Sequence, residues 1–376
     1  MSTPDHDETA RRVALSVLDL APVGQGSTPA AALAHSVDLA RLAERLGYRR
    51  LWVAEHHNMP GIASSSPPVL IAHLAAHTTA LRIGAGGVML PNHSPLVVAE
   101  QFGMLEALHP GRIDLGLGRA PGTDQITAAA LRRRSSAIDV DDFPDQLRDL
   151  LAYFAGTHPQ ITAVPGRGYQ PALWMLGSSD YSAHVAGALG MPFSFAHHFA
   201  SHNTIAALDV YRRSFVPSDD LAEPYAMIGV PVICADTSEH ARWLSGSSKL
   251  SFVRLRQGRP SPLPTPHEAA EHAFTAFEGE LVKTWTAPLI VGDPVEVRAG
   301  LVELATRTGV DELMITTMVH DHADRLRSYQ LVAETFAETF ADARAETLDA
   351  QRTPSRSTTN TRVSLGLMTP PAPRLP

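Results

Sequence analysis

Cysteine is almost missing from this chain of 376 residues. The single one, Cys234, excludes an intramolecular disulfide and a cysteine-based zinc site. It stands in the apolar run YAMIGVPVICA, the setting of a buried structural thiol. Positive charge is also in short supply. Thirty-one Lys and Arg face 39 Asp and Glu, a net charge of -8, which argues against a nucleic-acid partner needing clustered basic groups. The one basic run, Arg132-Arg133-Arg134, reads as a solvated helix face. No uninterrupted apolar stretch reaches the length of a membrane span, and MSTPDHDETARR at the start has no apolar signal-peptide core. A cytoplasmic protein with no membrane partner is the expectation. The dinucleotide fingerprint is missing too, because Gly24-Gln25-Gly26 has Pro29 where the third glycine belongs.

With 44% hydrophobic and 19% charged residues, what remains is the composition of a soluble globular protein. Short apolar runs alternate with helical periodicity. Strands are expected at 13–20, 50–54, 81–90, 112–117, 172–176, 192–196, 226–235 and 312–317. Helices are expected at 29–46, 68–79, 95–108, 143–154, 180–189, 203–215, 238–256, 294–306 and 321–340. Strands that are apolar on both faces belong in a parallel sheet. Eight strand-helix units predict an α/β protein, a (β/α)₈ barrel, with site residues at the C-terminal ends of the strands. A doubly wound open sheet is the alternative. The barrel is placed at 13–345, after a flexible N-terminus (1–12) and before a disordered tail (346–376) rich in Ser, Thr, Pro and Arg. Four prolines between Leu255 and Pro266 mark an insertion after the seventh strand, and Ser247 to Trp285 reads as a mobile lid.

Three motifs carry candidate chemistry. Glu55-His56-His57 follows the second strand, where a histidine can move protons near neutral pH. Successive residues point oppositely, so His56 and His57 are expected to face different ways. The bland reading is two loop histidines. Gly84-Ala85-Gly86-Gly87 bares the third strand for a flat ring, or for a bulge or a strained, even cis, peptide. Arg119, in a glycine-rich turn, and Gly177-Ser178-Ser179, opening a helix that holds Ser182, suit a mononucleotide phosphate. An ordinary N-cap is the bland reading of the serines. Among 18 histidines no His-Glu-x-x-His pattern occurs. A metal site would have to gather His93 and His197-His198 onto His56, and the prediction is no metal.

In combination these pieces resemble the luciferase-like flavin monooxygenases, the family of bacterial luciferase. The matching stretches are AEHHN from Ala54, GAGGVMLPNHSPLVVAEQ from Gly84, HPGRIDLGLGRAPGTD from His109, LGSSDYSA from Leu176 and ITTMVHDHADRLRSYQLVAE from Ile315. The resemblance spans about 13–340. It implies a barrel that binds reduced FMN, supplied by a separate flavin reductase, and uses O₂ through a C4a-hydroperoxyflavin. The substrate expected is a small, largely apolar organic molecule. By motif position, His56 is the catalytic base and Gly86-Gly87 the cis peptide under the flavin ring. Arg119, Ser179 and Ser182 bind its phosphate. Ser178 replaces a family glutamate, which leaves its contact open. Leu18, Trp52, Met89, Phe195 and His198 are the expected substrate pocket. A homodimer built on early helices is also implied, and the Ala-rich face from Ile71 to Ala76 suits packing on a partner helix or on the sheet. The alternatives are an oxidoreductase using the deazaflavin F420 and a flavin-holding barrel without turnover.

Overall fold

The computed structural model describes residues 13–120, 122–131 and 142–337. The 1–12 segment, the Arg132-Arg133-Arg134 run and the 346–376 tail lie outside the described residues. The first half of the chain runs β1 (Ala14–Asp19), α1 (Pro29–Leu46), β2 (Arg50–Val53), α2 (Pro67–Ala76), β3 (Arg82–Met89), α3 (Pro95–Leu108), β4 (Ile113–Gly118), α4 (Gln125–Leu131) and α5 (Phe143–Ala155). It continues with β5 (Ala172–Gly177), α6 (Asp180–Ala188), β6 (Phe193–Phe195), α7 (His197–Ala200), α8 (Thr204–Ser214) and β7 (Ala226–Cys234). The last part is α9 (Ser238–Arg256), α10 (Pro266–Glu271), α11 (Ala276–Trp285), β8 (Ile290–Gly292), α12 (Pro294–Thr308), β9 (Glu312–Thr316) and α13 (His322–Thr335).

Local chemistry explains the boundaries. Thr28 caps α1 by accepting the Ala31 N–H, Pro29 fills the first turn, and Gly47 stops the helix at φ 90°. Asp293 and Glu296 form a reciprocal capping box at the start of α12. The strands are all parallel and close into a ring, β1-β2-β3-β4-β5-β6-β7-β9, with β9 pairing back onto β1. This is the expected (β/α)₈ barrel. One strand was not anticipated: β8 pairs with the last three residues of β7, outside the ring. Three residues are too few to show a period.

Two apolar layers follow. The larger lies between strands and helices, and includes Leu15, Ile83, Phe102, Phe193 and Leu313. The smaller fills the barrel with Leu18, Trp52, Ala54, Trp174, Met227 and Met314. Beneath it the N-terminal end of the barrel is closed by charge. Arg50 donates to Glu312 at 2.8 Å and to Asp114 at 2.7 Å, and Arg82 donates to Asp114 through Nε at 3.0 Å. Burial alone would raise the Asp114 carboxyl, but Arg50 and Arg82 hold it below its ordinary value. With the lower end closed by these ion pairs, the barrel opens at the C-terminal ends of the strands.

Candidate functional site

That opening is a cavity of about 670 Å³, a size suited to an organic ligand. Trp52 forms its floor. The indole is fully buried, donates from Nε1 to Asp114 at 2.9 Å, and meets Trp174 edge to face at 5.1 Å. The glycines of β3 answer to this ring. A Cβ on Gly84 would lie 2.5 Å from Asp114 Cβ, 2.6 Å from the Asp114 carbonyl oxygen and 2.8 Å from Trp52 Cδ1, and one on Gly86 would lie 2.8 Å from Trp52 Cε3. Gly84 is therefore explained by the close approach of β4 and of the indole, so the flat-ring reading does not extend to it. Gly86 faces both the indole and the cavity. The Gly86–Gly87 peptide is cis, and the β3–β4 register shifts between Ala85 and Val88. The bulge and the cis bond, posed as alternatives, coincide.

Directly beyond β2, Ala54, Glu55 and His56 join the cavity wall. The His56 N–H donates to the Ser64 carbonyl at 3.0 Å, and the Ser64 hydroxyl donates to the Ala54 carbonyl. His56 lines the cavity, and its Nδ1 is buried without a hydrogen-bond partner. Burial, with His57 adding to it, lowers its pKa against the opposing pull of Glu55, so the ring is neutral at pH 7. His57 turns the other way, as alternation requires. Its Nε2 lies 2.9 Å from Glu55 Oε1, and His93 Nε2 lies 2.9 Å from the same oxygen. The Met89 N–H donates to Glu55 Oε2 at 3.0 Å. Burial would raise the fully enclosed Glu55 carboxyl, but His93, His57 and the Met89 amide outweigh it and lower its pKa. Sequence reasoning missed this role of Glu55. The signal was the acid itself, buried at a strand end, but its partner His93 lies 38 residues away.

The histidines do not gather as metal ligands. His93 serves Glu55. His197 binds the Thr204 hydroxyl at 2.7 Å. His198 Nδ1 lies 3.2 Å from the Gly229 carbonyl, and burial above all pushes its pKa down to about 4. His320 and His322, two residues apart, also diverge. His320 reaches the Gln25 carbonyl, while His322 stacks on His35 at 3.9 Å. Among the described residues no group of three or more His, Cys, Asp or Glu side chains could hold an ion.

Arg119, Ser178, Ser179 and Ser182 all reach the other side of the same cavity. Among the described residues the Arg119 guanidinium has no carboxylate partner; it lies 4.5 Å from the centroid of the Tyr181 ring. Ser179 occupies the N-cap of α6 but makes no side-chain cap hydrogen bond, so its hydroxyl is not spent on the helix. Ser182 packs so tightly on Gly177 that a Cβ there would sit 2.3 Å from its own. The donors thus line a cradle that only glycine leaves open. Arg112, in the same motif, is structural: it binds the carbonyls of Leu81, Ala75 and Thr78.

Of the expected pocket residues, Leu18, Met89 and His198 line the cavity as side chains between floor and rim. Gly229 makes room for His198, since a Cβ there would meet its Nδ1 at 2.5 Å. Phe195 borders the cavity but packs with Phe193 into the outer core, which puts Ser194 on the inner face. The insertion lies over the mouth. Leu255, Pro260, Ser261 and Leu263 join the lining, and Phe252 stacks on Trp285 at 4.9 Å. Backbone bonds seat it: the Leu263 N–H donates to Val23 at 2.8 Å and the Gln25 N–H to Leu263 at 2.8 Å. The pattern of prolines located this segment but not the residues of α9 and α11 that face inward.

No helix among the described residues is long and apolar enough to cross a membrane. The family model of luciferase-like monooxygenases matches residues 13–312. The chain is 51% identical over 323 residues to the Bacillus subtilis protein YvbT, covering 85% of this chain and 96% of that one. It is 48% identical over 328 residues to an Escherichia coli luciferase-like monooxygenase, covering 87% and 98%. Among solved structures, apo-MsnO8 superposes with a TM-score of 0.78 at 41% identity, covering 87% and 98%. Likeness in fold alone extends to an FMN complex of the oxygenating constituent of 3,6-diketocamphane monooxygenase from Pseudomonas putida (TM-score 0.63, 18% identity, 86% and 98% covered). It extends equally to an F420-dependent secondary alcohol dehydrogenase (TM-score 0.65, 13% identity, 86% and 99% covered). A flavin-type cofactor is what this kinship implies. The chain belongs to the luciferase-like monooxygenase family.

Proposed function

We propose that this protein is a monooxygenase that uses reduced FMN and O₂ to oxidise a small, largely apolar organic substrate. One observation carries the reading: a single cavity holds unspent phosphate donors at one side and a neutral histidine at the other. The residues fit the cofactor. Arg119 supplies a cation and planar donors, Ser179 and Ser182 supply hydroxyls, and Gly177 leaves the space. Gly86 presents bare backbone to the cavity, while Gly87, also expected at the flavin ring, does not line it and instead backs onto the Gly116 carbonyl and Leu176. When bound, reduced FMN supplies the electrons that activate O₂. His56 would exchange a proton with a group in the cavity, and to act as a base it must start as the neutral imidazole. The Leu255–Leu263 stretch keeps water from the reacting centre.

The Gly24-Gln25 loop is bridged to Leu263, so it is committed to the cover and not to a dinucleotide. On this reading reduced flavin is supplied by a separate reductase, as the resemblance implies. Homodimerisation would use the outer faces of α2 and α3, where Val69, Val97, Met104 and Leu108 are exposed. Ile71, Leu74 and Ala75, by contrast, are buried in this chain's own core.

The test is the reoxidation of reduced FMN by O₂ with the purified protein, beside titrations with FMN, riboflavin and F420. Reoxidation slower than that of free FMN, with FMN preferred over riboflavin and F420, supports the reading. Reoxidation identical to free FMN, with tight F420 binding, refutes it. Arg119→Ala is expected to weaken FMN far more than riboflavin; equal loss for both removes the phosphate role.

A further inference from the structure

Arg119 is contacted by an aromatic residue of the LGSSDYSA stretch to which the resemblance assigns no role. Tyr181 is the second residue of α6, between Ser179 at the cap and Ser182 beneath the cradle. The residue is 39% exposed, and its ring centroid lies 4.5 Å from the Arg119 guanidinium carbon. The two residues come from the ends of neighbouring strands, β4 and β5, and meet only because those strands pair.

The chemistry of the contact matters. A carboxylate beside Arg119 would neutralise its charge and occupy its N–H groups, both of which a phosphate needs. An aromatic face attracts the cation without doing either. The guanidinium carbon lies 4.5 Å from the ring centroid, a contact that uses none of its N–H donors on a carboxylate. Stacking also narrows the rotamers Arg119 must give up when an anion arrives.

We propose that Tyr181 is a positioning residue for the flavin phosphate, acting through Arg119. The inference rests on the FMN reading above and adds a residue that this reading does not require. It is the ring that acts, so the phenol hydroxyl is dispensable.

The experiment measures FMN and riboflavin affinity by quenching of flavin fluorescence on the full-length protein. Five proteins are compared: wild type, Tyr181→Phe, Tyr181→Leu, Arg119→Ala and the Tyr181→Leu/Arg119→Ala double variant. Tyr181→Leu should weaken FMN about two- to fivefold, the size of an exposed cation–aromatic contact, and leave riboflavin unchanged. Tyr181→Phe should match the wild type. In the Arg119→Ala background, Tyr181→Leu should add nothing, because the coupling it reports is already gone. Three results overturn the inference alone: unchanged or tighter FMN binding in Tyr181→Leu, equal loss of riboflavin, or full loss in the Arg119→Ala background. Equal wild-type affinity for FMN and riboflavin overturns the FMN reading and this inference with it, before any variant is compared.

Discussion

Removing the Glu55 carboxylate should loosen the cavity wall without deleting any other side chain that lines it. The carboxylate is fully buried and accepts three hydrogen bonds, from His57 Nε2, His93 Nε2 and the Met89 N–H. It ties the loop after β2, which carries His56, to the end of β3. Glu55→Ala leaves three donors without an acceptor and opens a void. Breaking a buried charged contact from one side costs about 3–5 kcal/mol. At about 2 °C per kcal/mol for a domain of this size, the melting temperature should fall by about 6–10 °C. Glu55→Gln separates shape from charge. Its amide oxygen can accept from Met89, and its NH₂ can donate to both imidazoles once each carries its proton on Nδ1. The expected loss is under about 1.5 kcal/mol. The pH dependence follows from the lowered pKa of Glu55. Its contribution is fully present above the unfolded value near 4.5 and is lost as pH falls through the lower folded value. The gap between wild type and Glu55→Gln should therefore narrow as pH falls below the unfolded value towards the lower folded one. Differential scanning calorimetry between pH 8 and 3.5, the latter roughly one unit below the unfolded value, reads both effects. A Glu55→Ala melting temperature within about 1 °C of wild type would refute the reasoning, since normal destabilisation is several times larger.

Other outcomes are open to measurement. His56→Ala should keep FMN affinity and lose product formation with any substrate the wild type turns over; normal turnover would remove His56 from the chemistry. Gly86→Ala places a Cβ 2.8 Å from Trp52 Cε3 and 3.1 Å from Leu18 Cδ1, and should cost about 1–3 kcal/mol in a denaturant titration. An unchanged midpoint would mean that the floor yields. His197, His198 and His322 each have a folded pKa lowered to about 4 from 6.5. The unfolded chain binds those protons first, so stability should rise with pH between about 4 and 6.5. A melting temperature flat across that window would contradict it.

Much of the architecture was legible along the chain because its causes are local. Pro29 and Gly47 bracket α1, and apolar runs with turn residues between them mark all eight ring strands. Where cause is distant, the sequence was silent or misleading. The glycines of β3 looked like a surface for a ligand, yet Gly84 is empty because Asp114, from the strand after, and Trp52, from the strand before, fill the space. The short β8 carries no period of its own and exists only because β7 runs past the ring to meet it.

The site divides in the same way. Residue types that suit proton transfer or phosphate binding announced themselves at strand ends: His56, Arg119, Ser179 and Ser182 all reach one cavity. Composition and motif alone determined that this chain has no disulfide, no nucleic-acid charge and the marks of one enzyme family. Only closure of the barrel decided which side chains face one another. It brought His93 and His57 to one oxygen of Glu55, set Tyr181 under Arg119, and laid Leu263 across the loop at Gly24. The physical reason is that hydrogen bonds, stacking and desolvation act over a few ångströms. Pairs such as Gln25 and Leu263 lie hundreds of residues apart along the chain, and no local pattern encodes their meeting.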